Sequence, residues 1–508
     1  MKDRKSLGDL AARGIVWITG QSIFARFVSY FSQLALAWFL TEDDFGLFGM
    51  ALTISEFSRV FSQGGVSKVL VQRQKSFDKW STPGFWLSLV MSLGVAFSMI
   101  IVGYFATGWF QVEEPKKLLQ LICLLAIVPP ISAIGTIPKA ALQIELKFGA
   151  IAAIGTVALI IGTVAKVGLA WGGWGAFSFV IPMLISIPIQ TLCYWLLVRP
   201  KIKLSLMFRK WKYLISDGAM IIATGFWYKI ITHGDYVILG AIATQKELGL
   251  YFFAFTCSIQ AIVMLTQGIA SIAFPALARL SREPQRQLEA FRKGATALAA
   301  IVFPASVAQA ILFKPIVEEF FPVRWIPAIV MLQILSLGMA GRTVSWVSAS
   351  LMEAQGRFKT RMWLGLVSAV TFIAIGITGA TVGNSTSMGP ALGLAIAVTI
   401  YYPIMSLATT WIALPSESQK WSIIREIYVA PTLLSFLAFA PPYLFAVAFT
   451  SNRYVHIGAT AILGTAVYIL IGRVWMKPIW NDIISRGMRL VSTRFPKLKL
   501  APQSSINK

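Results

Sequence analysis

The 508-residue chain is 56% hydrophobic and 13% charged, with a mean hydropathy of +0.71, far from the composition of a soluble globular domain. Its formal net charge of +24 reflects 45 Lys and Arg against 21 Asp and Glu. Nucleic acid is not the implied partner, because the basic residues alternate loop by loop between apolar runs, as membrane topology and contact with anionic lipid require.

Fourteen such runs follow in order, near 14–40, 45–66, 84–108, 118–137, 149–170, 174–197, 216–241, 248–274, 295–313, 327–351, 361–382, 389–413, 428–449 and 455–475. Each approaches the ~20 residues that cross a ~30 Å hydrocarbon core, where helices satisfy their own backbone groups. The predicted fold class is an all-α polytopic membrane protein of about fourteen transmembrane helices: two six-helix lobes plus two extra C-terminal helices. The corresponding divisions are 1–200, 201–415, 416–476 and a cytoplasmic tail, 477–508. The first run is too long for a signal-peptide core and is expected to remain as the first helix. Pro129, Pro130, Pro182, Pro188, Pro441 and Pro442 lie inside runs and are expected to bend or break helices. Cys123, Cys193 and Cys257 fall inside runs without metal-ligand spacing. In the tail, Trp480, Ile483, Ile484, Met488 and Val491 share one helical face, which reads as an interfacial helix or as an ordinary amphipathic end.

Charge fixes the expected orientation. Of the 45 basic residues, 32 lie in the termini and the loops on one side, 6 in the opposite loops and 7 within runs. Clusters occur at Lys68, Arg73, Lys75 and Lys79, at 199–212, and at 279–293; the other side bears Glu42, Asp43, Asp44, Glu113, Glu114, Glu318 and Glu319. The basic side belongs in the cytoplasm, with both termini inside.

The halves echo each other. Thr41-Glu-Asp-Asp-Phe-Gly-Leu-Phe matches Thr244-Gln-Lys-Glu-Leu-Gly-Leu-Tyr at an offset of 203. Ser62-Gln-Gly-Gly-Val-Ser meets Thr266-Gln-Gly-Ile-Ala-Ser one residue out of step. Duplication of six helices, both sets starting on the same side, gives lobes related by an axis along the membrane normal and suits alternating access.

Charges inside the runs are costly and mark cavities, partners or pathways. Arg26 and Lys229 sit near mid-helix at the same offset of 203. Arg26, Tyr30 and Gln33 share a face, and their counterparts are Lys229, His233 and Tyr236. Glu56 and Arg59 can pair at i, i+3, and Arg342 precedes Ser345 at the same spacing. Lys166 is expected to snorkel. Glu56 and Asp235 are the carboxylates well inside the runs, hence candidates for Na+ or H+ coupling. Several cations at mid-depth suit a diphosphate, which Arg grips by paired hydrogen bonds. With no Asp-x-Asp, nucleotide-binding glycine motif or large extramembrane domain, an enzyme is not expected, and no cofactor is implied.

Further motifs are Ser62-Gln-Gly-Gly-Val-Ser-Lys-Val-Leu-Val-Gln-Arg73, Thr82-Pro-Gly-Phe-Trp86 and Pro138-Lys-Ala-Ala-Leu-Gln-Ile-Glu-Leu-Lys-Phe148. Leu248-Gly-Leu-Tyr251, Phe274-Pro-Ala-Leu-Ala-Arg-Leu280 and Phe321-Pro-Val-Arg-Trp-Ile-Pro-Ala328 follow. In this order the chain resembles the polysaccharide-export branch of the multidrug, oligosaccharidyl-lipid and polysaccharide exporter superfamily, of the colanic-acid exporter type. The resemblance implies two lobes around a cationic cavity and transfer of an undecaprenyl-diphosphate-linked saccharide (an O-antigen or exopolysaccharide unit) between leaflets. It implies substrate contacts from Arg26 and Arg59, with Lys229 replacing the second-lobe arginine. Arg342, Tyr30, Gln33 and His233 complete the candidate cavity. Polysaccharide polymerase and glycosyltransferases acting on the same lipid are candidate partners. Two other readings stay open: an ion-coupled exporter of small or amphipathic molecules, and a membrane glycosyltransferase or polymerase.

Overall fold

A computed structural model describes residues 7–475 except 64–65, 67–69, 71–75 and 416. Lys68, Arg73, Lys75 and the 477–508 tail lie outside the described residues. All regular structure described is helical. The first lobe comprises α1 (Leu7–Phe39), α2 (Glu42–Gln63), α3 (Phe77–Trp109), α4 (Pro115–Ala126), α5 (Val128–Ile134), α6 (Thr136–Ile144), α7 (Phe148–Trp171) and α8 (Phe177–Leu197). The second comprises α9 (Phe208–Ile242), α10 (Gln245–Arg279), α11 (Pro284–Phe320), α12 (Ala328–Ala354), α13 (Phe358–Ser385) and α14 (Pro390–Ala413). A short α15 (Glu417–Ile424) continues through a π-helical turn (Arg425–Val429) into α16 (Ala430–Phe449), and α17 (Arg453–Trp475) follows.

Among the described residues, eleven stretches are long and apolar enough to cross a membrane. The long helices outside that set are α1, α2 and α9, which carry Arg26, Glu56 with Arg59, and Lys229 with Asp235. The prolines act unequally. Pro129 and Pro130 lie in the first turn of α5 after a break at Ile127, so the run expected over 118–137 is divided among α4, α5 and the start of α6. Pro182 and Pro188 stay inside α8, and Pro441 and Pro442 inside α16, without interrupting either.

The duplication is visible in the packing. Within the first lobe α1 packs on α7, α2 on α3 and α4, and α7 on α8; α9 with α13, α10 with α11 and α12, and α13 with α14 repeat those pairings. Helices α16 and α17 pack on each other and on α11. Between lobes α2 packs on α10, α2 on α9 and α1 on α10, as a two-fold axis through the α2–α10 pair generates, while a smaller contact of α3 with α9 departs from that symmetry.

The repeated motif sits on that axis. Thr41 and Asp44 exchange hydrogen bonds (Thr41 N to Asp44 Oδ2, 3.1 Å; Asp44 N to Thr41 Oγ1, 3.3 Å). Thr244 and Glu247 form the same capping box, at 3.0 and 3.2 Å. A side chain at Gly46 would overlap the Gln245 carbonyl, and one at Gly249 the Glu42 carbonyl, so both backbones approach through reciprocal glycines.

Candidate functional site

The lobes are locked together at the acid-bearing end. Phe45 and Phe48 of α2 meet Phe179 of α8, Phe252 and Phe253 of α10, and Trp325, with Phe48 stacked on Phe179 at 4.2 Å and Phe45 edge-on to Trp325 at 5.0 Å. Trp325 is fully buried, and its indole N–H donates to the Ala37 carbonyl at the end of α1 (2.7 Å). Beside it Arg324 donates to the Trp38 carbonyl (2.7 Å). Thus the Phe321–Ala328 motif closes the second lobe onto α1. Lys166 does not simply snorkel: its ammonium lies 5.7 Å from the Phe179 ring centroid. At this rim burial, and then Glu113 and Glu42, hold the Asp43 carboxyl above its usual range.

Below that seal, the charges converge across the lobe interface. Glu56 of α2 accepts from Arg59 Nη1 at 2.6 Å through one oxygen and pairs with Lys229 of α9 through the other. The Glu56 side chain is 13% exposed, Lys229 22% and Arg59 41%, so the carboxylate is enclosed while the guanidinium remains reachable. Two cations share one carboxylate, leaving the cluster a net positive charge. His233, one turn beyond Lys229, lies within the fields of Glu56, Lys229, Arg342 and Arg59. Its Nδ1 and the Nε2 of Gln33 on α1 are buried and find no protein hydrogen-bond partner among the described residues. Such atoms are uncommon in a folded interior and suit a polar ligand. Arg26 is exposed on α1, one turn from the half-buried Tyr30.

Arg342 stands outside the Glu56 ion cluster. It is buried within the second lobe, donating to Tyr402 Oη at 3.0 Å, with its guanidinium 5.0 Å from the Tyr402 ring and 5.5 Å from Phe255. Asp235 is fully buried, accepting from Tyr251 Oη and from the Tyr236 backbone N–H, both at 3.0 Å. No Lys, Arg or His is within ion-pair distance of Asp235 among the described residues. The structure therefore separates the two candidate carboxylates: Glu56 is neutralised by cations, Asp235 is held by a tyrosine.

Two links escape helix-face reasoning. The Glu56–Lys229 pair joins helices 173 residues apart in the chain, and i, i+3 spacing suggests only the Arg59 half. Tyr251 as the donor to Asp235 stands in the Leu248-Gly-Leu-Tyr251 motif, whose repetition was the available signal.

A family described as polysaccharide biosynthesis protein matches residues 35–330, more than half the chain. The chain belongs to that family. The match takes in the aromatic seal and the Glu56 and Lys229 positions, but begins after Arg26, Tyr30 and Gln33. An uncharacterized membrane protein in the cps region of Klebsiella pneumoniae is 22% identical, covering 76% of this chain and 79% of that protein. The lipopolysaccharide biosynthesis protein WzxC of Escherichia coli (strain K12) is 22% identical over 79% of this chain and 81% of its own length. Among solved structures, the lipid II flippase MurJ in an inward closed conformation superposes with a TM-score of 0.73 at 16% identity, covering 92% of this chain and 100% of that one. This last likeness establishes the fold, an all-helical multi-pass bundle.

Proposed function

We propose that this protein is a flippase for a lipid-linked oligosaccharide, moving an undecaprenyl-diphosphate-linked O-antigen or exopolysaccharide unit from the cytoplasmic to the periplasmic leaflet of the inner membrane. The observation that carries this reading is the Arg59–Glu56–Lys229 cluster: two cations against one carboxylate, placed between the lobes. A diphosphate offers several anionic oxygens to such a group, and Arg59 can hold it by two parallel bonds. Arg26 adds a further cation from α1. Gln33, Tyr30 and His233 supply donors and acceptors to sugar hydroxyls. Family membership and a relative named for lipopolysaccharide biosynthesis support the same substrate class.

The remaining features follow from that reading. Helices α1, α2 and α9 also cross the membrane, with their charges turned to the lobe interface, which brings the spans to fourteen. The basic end is cytoplasmic, so both termini are inside, and the present arrangement is sealed on the periplasmic side. Polymerase and glycosyltransferases working on the same lipid are the natural partners. Coupling to H+ or Na+ is assigned to Asp235, because Glu56 is already engaged by two cations.

The test is transfer in proteoliposomes. A fluorescent polyprenyl-diphosphate oligosaccharide should cross between leaflets with the wild-type protein and slow severely with Lys229→Ala or Arg59→Ala. Asp235→Asn should abolish the response to an imposed ion gradient while leaving substrate binding intact. Wild-type protein that moves a cationic amphiphile but not the diphosphate lipid would favour the small-molecule exporter instead.

A further inference from the structure

A second cationic feature lies outside the lobe interface, at the basic end, where the segment joining the lobes (198–207) crosses the start of α3. It encloses a cavity of about 710 Å³ lined by Lys79, Arg199, Lys201, Lys203 and Lys210, with Asp78 and Glu145 the acidic members. The segment is strapped in place through its backbone. The Trp86 indole donates to the Lys203 carbonyl at 3.0 Å, and the Lys203 N–H donates to Thr82 Oγ1 at 3.3 Å. Lys210 Nζ reaches the Lys79 carbonyl at 3.2 Å. Met207, which also lines the cavity, is held at a φ of 46°, a left-handed conformation that costs a non-glycine residue energy and tends to persist at built sites.

Two contrasts give the cavity its chemistry. The basic residues in the first turns of α11 are already paired: Arg286 with Glu283 at 2.5 Å, Lys293 with Glu289 at 2.6 Å, and Arg292 with Glu426 of the π-helical turn before α16 at 2.6 Å. Lys79, Arg199, Lys201 and Lys203 make no ion pair among the described residues, and Glu145 is taken by Lys147 at 2.7 Å. The second contrast is apolar. Leu204 is 92% exposed, and Leu206 and Phe208 are exposed on the same segment. A soluble anion has no use for that rim, whereas an amphiphile does.

We propose that this cavity binds the head group of an anionic membrane lipid carrying two phosphates, with its chains lying against Leu204, Leu206 and Phe208. Unpaired cations converging at the cytoplasmic end of a helix bundle, beside aromatic residues of interfacial type (Trp80, Trp86, Trp211), are what such a head group needs. The lipid would brace the covalent link between lobes against α3. The site does not depend on the flippase reading and stands if that reading fails.

The experiment titrates detergent-purified full-length protein with tetraoleoyl cardiolipin, counting bound lipid by native mass spectrometry. Arg199→Gln, Lys201→Gln and Lys203→Gln together should weaken binding about a hundredfold, each cation contributing roughly a factor of five. Their side chains make no ion pair here, and the Lys203 straps are backbone, so the thermal transition should persist. Removing the same charge elsewhere, with Arg282→Gln, Arg286→Gln and Lys293→Gln, should weaken binding less than about threefold. Leu204→Asn with Leu206→Asn should weaken cardiolipin but leave inorganic diphosphate unaffected. Equal losses in the two charge-removal variants would overturn the site in favour of diffuse attraction. Full displacement of cardiolipin by equimolar inorganic diphosphate would overturn the lipid assignment in favour of a soluble phosphate.

Discussion

The acid-bearing end of the interface and its middle descend from the same duplication and have diverged to different degrees. At the acid end the halves remain near copies: capping boxes at Thr41 and Thr244, reciprocal glycines at Gly46 and Gly249, each against the other's carbonyl. In the middle the copies differ. Arg26 stays exposed on α1, while its counterpart Lys229 is drawn to Glu56 of the opposite lobe. Symmetry persists where two backbones must touch, since neither side tolerates change. It is lost at the Glu56 cluster, as the proposed function requires of a site for an asymmetric ligand with a diphosphate at one end and sugars at the other.

The largest expected effect breaks the symmetric end. Gly249→Val places a side chain on the Glu42 carbonyl and forces α2 and α10 apart, at a cost of at least about 3 kcal/mol, the upper range for overpacking. Gly46→Val should do the same, and loss of the detergent-resistant thermal transition is the readout. If either variant melts like wild type, the close approach is not what joins the lobes. Next comes the middle. Glu56→Gln leaves Lys229 and Arg59 side by side without a counter-charge, and should cost about 2 kcal/mol, less than a fully buried pair because Arg59 is partly solvated. Adding Lys229→Gln should restore most of that loss; simple additivity of the two changes would show that the pair is not coupled. The smallest effect sharpens the comparison: Thr41→Ala and Thr244→Ala should each cost about 1 kcal/mol, the worth of an N-cap, and by equal amounts. Equality at the caps together with inequality between Arg26→Ala and Lys229→Ala in transport would place the functional divergence at mid-depth.

Legibility followed the range of the interactions. Local and periodic features were readable: helix positions from apolar runs, the repeat of the Thr41 motif at Thr244, the break at Pro129 from two consecutive residues lacking N–H groups. The resemblance also reached the family through motifs such as Phe321–Ala328, in which Trp325 fits between Ala37, Phe45 and Phe253. Arg342 shows the limit. Its depth was evident, but only packing reveals that it faces Tyr402 and Phe255 inside one lobe. Glu56 shows it more sharply, since a helical wheel offers Arg59 and cannot see Lys229 on another helix. Pro182 and Pro441 were ambiguous for a further reason: whether proline interrupts a membrane helix depends on neighbours that re-satisfy its freed carbonyl.

The central claim is that the cluster around Glu56 is where diphosphate is held. The direct measurement is the affinity of purified wild-type, Arg59→Ala and Lys229→Ala proteins for a short-chain polyprenyl-diphosphate saccharide, with thermal unfolding recorded on the same samples. Losing one contact to a charged group should cost about 1.5–3 kcal/mol, so each variant should bind roughly 10- to 150-fold more weakly. The same variants should still unfold cooperatively. Undiminished affinity in both variants would contradict the account and leave Arg59 and Lys229 as structural partners of Glu56.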